Sequence, residues 1–316
     1  MAMFPALVPA PPVLYHYTNS AGLKGILETN SLWATATAFL NDSLELQFGR
    51  PQLCDALQAQ AESLDPGDRN PDGGPDWSRA AIIRSAVDYL RRGDANSRTN
   101  AGQVYDAISR ANAEQVYVAC FCDHDDLLSQ WRGYGSSAGY AIGFRSESLP
   151  VPAPSLAEVP FIRPDGLTRV LDPSQPPESS LVQVQYGESA IIPMVDQVLK
   201  QMAQRPSGHP GSTGWAEAVL LAEPALASIK HEAFAEEREW RLLTAEVGSR
   251  TTGFRVTALG LVPYIELPVN LRGALHEIVV GPGNHSDVRM LGLARMLQHL
   301  GLREVSIRAS SVPYRG

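Results

Sequence analysis

Val116 to Cys122 (VYVACFC) is an unbroken apolar run between polar neighbours, the pattern of a strand buried on both faces. A strand of that kind belongs in the middle of a sheet, with other elements covering each side. The neighbouring pattern supplies them. Val13 to Thr18 (VLYHYT) reads as a short strand, and Asn19 and Ser20 then cap a helix whose Leu23, Ile26 and Leu27 share one face. Ser31 to Thr37 (SLWATAT) is extended, and Asn41-Asp42 is a second capping signal before Leu44, Leu46 and Phe48.

Two helical stripes follow: Leu53, Leu57, Ala61 and Leu64, then Ile82, Ile83, Ala86, Val87 and Leu90. Between them, residues 65–76 (DPGDRNPDGGPD) favour turns and mark an exposed loop. Tyr140 to Phe144 is a further strand, and the proline-rich residues 150–177 are a surface excursion or a join between halves. Later strands are expected at 181–186, 237–244, 264–267, 277–280 and 303–307. Helices are expected at 191–202, 216–235, with a kink or restart at Pro224, and 286–300. This irregular order points to an α+β fold with a mixed, mostly antiparallel sheet core and flanking helices. We read residues 1–316 as a single domain with a flexible stretch at 1–12.

Composition narrows the function. With 44% hydrophobic and 19% charged residues the chain has the makings of an ordinary core. Its 34 acidic and 26 basic side chains, net charge −8, leave no global field for duplex nucleic acid or an anionic membrane. No apolar stretch is long enough to span a bilayer, so no membrane partner is expected. Three cysteines, an odd number in a chain of this size, favour reduced thiols and a cytoplasmic setting.

The segment richest in chemistry is Lys230 to Leu243 (KHEAFAEEREWRLL). On a strand beginning near Glu237, the side chains of Glu237, Glu239 and Arg241 share a face. Paired carboxylates raise one another's pKa while an adjacent Arg lowers it, which separates a proton holder from an ionised group; charges in register on a solvated strand are the plainer reading. His16, between Tyr15 and Tyr17 and followed by Thr18, offers a ring nitrogen to a ligand hydroxyl, although a lone strand histidine is more often structural. Residues 129–139 (SQWRGYGSSAG) combine Ser129, Trp131 and Tyr134 with glycines that admit close backbone approach. Their spacing is not the dinucleotide-binding glycine fingerprint, and a flexible turn is an equal reading.

Three weaker signals stand beside these. Cys120, Cys122 and His124 alternate like metal ligands, but no matching ligand pair exists elsewhere, so a buried cysteine strand and no metal are expected. Asp123, Asp125 and Asp126 have the chemistry for a hard cation or a helix cap. Residues 279–284 (VVGPGN) join a strand to a helix start, where free amides hold phosphate or simply turn the chain.

The order LYHYT, LWAT with FLNDSLE, LLSQWRGYG with GYAIGF, FAEEREWRL and a closing VPYR, from about Leu14 to Arg315, resembles the bacterial family catalogued as domain of unknown function 2971. More loosely, an early His, a hydroxyl and aromatic middle and a late Glu look like the layout of the ADP-ribosyltransferases. That resemblance implies an ADP-ribosyltransferase-like fold with NAD as substrate. His16 would then hold the adenosine ribose with Tyr17 and Thr18 beside it. Ser129, Trp131 or Tyr134 would cradle nicotinamide, Glu239 would engage the nicotinamide ribose, Glu237 would orient the acceptor, and Arg241 would bind the pyrophosphate or brace the carboxylates. It further implies an NAD-dependent transferase or glycohydrolase of the bacterial toxin or phage-defence kind. The acceptor is left open among protein, nucleic acid and small molecule. A metal-dependent phosphodiesterase or nuclease and a non-catalytic nucleotide-binding module are the other expectations for the same residues.

Overall fold

The computed structural model describes residues 9–40, 48–64, 79–92, 116–135, 139–149, 179–204, 224–245, 253–257 and 260–313. The capping signal at Asn41-Asp42, the loops at 65–76 and 150–177 and residues 1–8 lie outside them.

The apolar run forms β3 (Val116–Cys122), with every residue buried except Cys120, which is partly so. It is a central strand, as expected. One edge pairs along its whole length with β8 (Glu239–Ala245), from Val116↔Ala245 to Cys122↔Glu239, and β8 in turn pairs with β5 (Ser179–Gln183). The other edge is shared. Near its C-terminal end β3 meets β1 (Val13–Thr18) at Tyr15↔Cys122, and near its N-terminal end it meets β2 (Ser31–Ala36) at Thr35↔Val118 and Ala36↔Tyr117. Between those contacts the sheet forks.

One arm continues from β1 through β4 (Tyr140–Arg145) and β11 (Leu275–Val280) to β12 (Ser306–Ala309). The other runs from β2 through β10 (Gly260–Pro268) to β9 (Gly253–Thr257). Within this ten-stranded sheet only β11 and β12 run parallel. The mostly antiparallel α+β expectation therefore holds, and one sheet takes strands from residue 13 to residue 309.

Helices cover both faces. On one side α1 (Ser20–Thr29), capped by the Asn19 side-chain Oδ1 that accepts from Gly22 N–H at 2.9 Å, and α5 (Ser286–His299) pack Leu23, Ile26, Leu27, Leu293 and Leu297 against Leu14, Phe121, Trp240 and Leu242. On the other, α2 (Arg50–Ser63), α3 (Arg79–Arg92) and α4 (Ile191–Gln204) bring Leu53, Leu57, Ile83, Val87 and Val198 onto Val116, Val118, Val182 and Leu243. Each such buried side chain contributes on the order of 1.5–3 kcal/mol.

Two expectations are corrected. The helix predicted over 216–235, of which 216–223 lie outside the described residues, is α-helical only at 224–226: a turn follows, Ile229–Lys230 form β7, paired in parallel with β6 (Gln185–Tyr186), and Glu232–Glu237 form a 3-10 helix. The strand expected at 181–186 is divided at Val184, whose N–H still donates to the Glu239 carbonyl of β8 at 2.9 Å before Gln185–Tyr186 pair with β7. β9, at 253–257, had no counterpart among the predicted strands.

Candidate active site

The 3-10 helix at Glu232–Glu237 opens where the His231 Nδ1 accepts from the Ala233 N–H at 3.1 Å. It closes at Arg238, whose φ of 49° turns the chain into β8. A non-glycine residue in that left-handed region is strained, and Arg238 is fastened by an ion pair from its Nε to Asp123 at 2.7 Å. The turn has a direct consequence for the carboxylates. Glu237 ends the helix and Glu239 begins the strand, so the two do not alternate along one strand as the sequence suggests.

A residue outside that pattern brings them together. Lys230 Nζ lies 2.8 Å from Glu237 Oε2 and 3.0 Å from Glu239 Oε2. Arg241, two residues along β8 and on the same face as Glu239, grips that carboxylate with both arms: Nε to Oε1 at 2.8 Å and Nη2 to Oε2 at 3.0 Å. Its remaining Nη1 donates to the Ala227 carbonyl at 2.7 Å. Glu239, Arg241 and Lys230 are 3%, 1% and 2% exposed, a depth at which ions persist only when paired. Two cations and two anions compensate one another.

The surroundings tighten this arrangement. The Cys120 thiol donates to the Glu239 carboxylate, and the Tyr186 hydroxyl accepts from the Glu239 N–H at 2.8 Å. Burial on its own would raise the Glu239 pKa, but Arg241, Lys230 and the thiol outweigh it and hold the group at about 2, below its ordinary 4.5. Glu239 is thus a fixed anion. Glu237 differs, with a side chain 20% exposed at the solvent margin of the cluster, and its backbone carbonyl accepts from Gln130 Nε2 at 3.2 Å. Of the two carboxylates, Glu237 is the one an incoming group meets first.

His16 reaches the cluster through β3. Its Nδ1 lies 2.8 Å from the Cys120 carbonyl oxygen; a carbonyl only accepts, so Nδ1 carries the proton and Nε2 is the lone-pair nitrogen. The carbonyl it satisfies faces the fork, where β3 has lost β1 and not yet gained β2. Burial, with Arg255 adding its positive charge, lowers the His16 pKa and keeps the ring neutral. Tyr15 and Glu239 both stand opposite Cys122 and share a face, so His16, one residue on, starts from the opposite face and meets the cluster only at the fork.

The middle motif divides in two. Trp131, at 2% exposed, packs edge-on to Tyr17 at 4.7 Å and donates its Nε1–H to Asp126 at 2.7 Å. Tyr17 is buried as well, donating its hydroxyl to the His124 carbonyl and accepting from the Leu127 N–H. Both rings are buried with their polar tips satisfied inside the fold, and Arg241 braces the Glu239 carboxylate, the second of the two roles expected of it. Ser129 holds a buried hydroxyl without a partner among the described residues, and Thr18 is half-buried. Tyr134 is different. The residue is 37% exposed, and its hydroxyl is raised in pKa by burial first and then by the charges of Glu237 and Glu239.

The weaker signals resolve separately. Cys122 accepts from the His124 N–H at 3.3 Å, and among the described residues no group of three or more His, Cys, Asp or Glu is placed to hold a metal. Asp123 pairs with Arg238, Asp125 with Arg308, and Asp126 with Trp131, Ser310 and Ser311. The Gly281–Gly283 turn and Ser286 at the start of α5 line a cavity of about 570 Å³ with Ser310 and Val312, apart from the ion cluster.

Lys230, Cys120 as a hydrogen-bond donor and Tyr186 are the members of the cluster that sequence reasoning missed. Lys230 carried no signal, because its burial depends on a long-range parallel pairing with Tyr186. Cys120 was marked only by its place in an apolar strand.

Residues 130–242 match the model of a family described as "Protein of unknown function (DUF2971)". The matched stretch begins at Gln130 and ends just past Arg241, so it contains Tyr134, Lys230, Glu237 and Glu239. No curated protein and no solved structure matches the chain.

Proposed function

We propose that the chain is an NAD-using ADP-ribosyltransferase or NAD glycohydrolase. The supporting observation is the paired carboxylates: Glu239 ionised and immobile, Glu237 at the solvent margin, with the part-exposed Tyr134 beside both. Breaking the bond between nicotinamide and ribose leaves positive charge on the sugar, while the bonding pair departs with nicotinamide. An anion whose orientation is fixed in advance stabilises such charge without reorganising. Glu239 supplies that field, Tyr134 offers a stacking face to the leaving ring, and Glu237 orients the hydroxyl of water or an acceptor that adds to the sugar, taking its proton onto the carboxylate and passing it to solvent.

One observation favours a second reading. Both Glu239 oxygens are already engaged by Arg241 and Lys230, as suits a site that binds a nucleotide without turning it over. A metal-dependent phosphodiesterase gains less support, since Asp123 and Asp125 are held in ion pairs. Calorimetry with NAD, followed by mass spectrometry for free nicotinamide in the presence of water and candidate acceptors, separates these. Heat with nicotinamide release supports the enzyme, heat without release supports the binding module, and neither removes the NAD reading.

A further inference from the structure

We infer that the arm of the fork formed by β2, β10 and β9 carries an oxyanion site for a diphosphate, held by Arg255 and Trp33; the choice of diphosphate rests on the NAD reading. Arg145 at the end of β4 donates to the Gly273 and Leu275 carbonyls, and Arg241, Arg308 and Arg238 have carboxylate partners in Glu239, Glu277 and Asp123. Arg255 has none among its described contacts. Its Nη2 donates to the Thr35 hydroxyl at 2.8 Å, and its Nε is buried without an acceptor among the described residues.

A second orphan donor lies in the same patch. Trp33, two residues before Thr35 on the same face of β2, has a buried Nε1–H with no acceptor among the described residues. Its ring stacks on Tyr264 at 4.4 Å and 21°, and Tyr264 is the residue of β10 opposite Thr35. Indole and guanidinium are thus fixed around one pair of strands. A buried donor left without an acceptor is costly, and a cation in the same patch with no carboxylate among its described contacts makes the preferred acceptor an anion. The planar guanidinium fork matches phosphate oxygens two at a time.

The surrounding groups leave room for added negative charge. The titratable neighbours of Arg255 are Cys120, Tyr264 and His16. The thiol is kept protonated, its pKa pushed well up by burial, and His16 is neutral. No carboxylate is among the charges that shift Arg255, and Glu266, which stands opposite Trp33 on β10, accepts from the Ser31 hydroxyl at 3.5 Å. The other role expected of Arg241, binding the pyrophosphate, therefore passes to Arg255, because Arg241 is spent on Glu239.

Titration calorimetry with inorganic pyrophosphate and, separately, with NAD tests this on wild-type, Arg255→Gln and Trp33→Phe chains whose melting curves establish that they fold. The expected result is pyrophosphate binding to wild type, weakened at least about tenfold in each variant through loss of a charge-assisted or buried bond. Absence of pyrophosphate binding to wild type, or binding in Arg255→Gln and Trp33→Phe as tight as in wild type, overturns the site. Should Arg255→Gln not fold, Trp33→Phe decides alone. Pyrophosphate bound without NAD leaves the site standing and removes the NAD reading, whereas NAD bound equally by wild type and variants does the reverse.

Discussion

His16 and Glu239 meet at one residue: His16 Nδ1–H donates to the Cys120 backbone carbonyl at 2.8 Å, while the Cys120 thiol donates to the Glu239 carboxylate. The two side chains start from opposite faces of the sheet, and the fork beside β3 is what lets them share a neighbour.

Replacing His16 with Ala leaves the Cys120 carbonyl without its donor and costs about 1–3 kcal/mol, measured as a lower urea midpoint. The wild-type ring adds a pH dependence. Its folded pKa is depressed below the unfolded 6.5, so between the two values the unfolded chain binds more protons. The stabilisation from the neutral ring is complete above 6.5 and declines as pH falls below it. Urea midpoints of His16→Ala drop less on going from pH 7.5 to 5.5 than those of wild type.

Glu239→Gln leaves the buried Arg241 without its carboxylate and Lys230 with Glu237 alone. A loss of about 3–5 kcal/mol is expected, against a much smaller loss for the more exposed Glu237→Gln. Because the folded pKa of Glu239 is about 2, below the ordinary 4.5, its contribution is present above 4.5 and is lost as pH falls toward 2. That window corresponds to about 3 kcal/mol. Acid titration of stability, followed by circular dichroism, shows a shallower slope across this window in Glu239→Gln than in wild type.

The three thiols resist modification in the native state. Burial raises the pKa of Cys54, of Cys120, and of Cys122, the last to about 12, and a thiol reacts as the thiolate. A disulfide reagent at pH 8 titrates less than one thiol per chain over minutes, and all three once the chain is unfolded in guanidinium.

Asp126→Ala cuts the tie between the end of β12 and the loop that carries Gln130 and Tyr134. The carboxylate accepts from Trp131 Nε1 at 2.7 Å, Ser311 N at 2.7 Å and Ser311 Oγ at 2.9 Å. Hydrogen exchange over residues 306–312 and 127–135 accelerates together in the variant, with a stability loss of about 1–3 kcal/mol.

Elements whose pattern is local were legible. β3 announced itself by a continuous apolar run, α1 by Asn19 and its stripe of Leu23, Ile26 and Leu27, and Glu239 with Arg241 by strand alternation. The stretch around Ile229 and Lys230 misled because its alanines and glutamates favour helix. Long-range pairing with Gln185 and Tyr186 overrides that preference and delivers Lys230 between the carboxylates. Trp131 and Tyr17 look like stacking platforms in the sequence, yet their polar tips are satisfied inside the fold, and only geometry separates them from Tyr134. Arg255 had no local signal at all, since its surroundings come from Thr35 and Tyr264 on strands distant in sequence or register.

The central claim, that the Glu237 and Glu239 pair serves NAD chemistry, is tested most directly by nicotinamide release from NAD. Wild type and Glu237→Gln are compared at equal concentration after both are shown to fold. The account predicts release by wild type and a loss of at least about a hundredfold in Glu237→Gln, the scale of a positioned acid or base. Release unchanged in Glu237→Gln, or none from wild type with any acceptor offered, contradicts it.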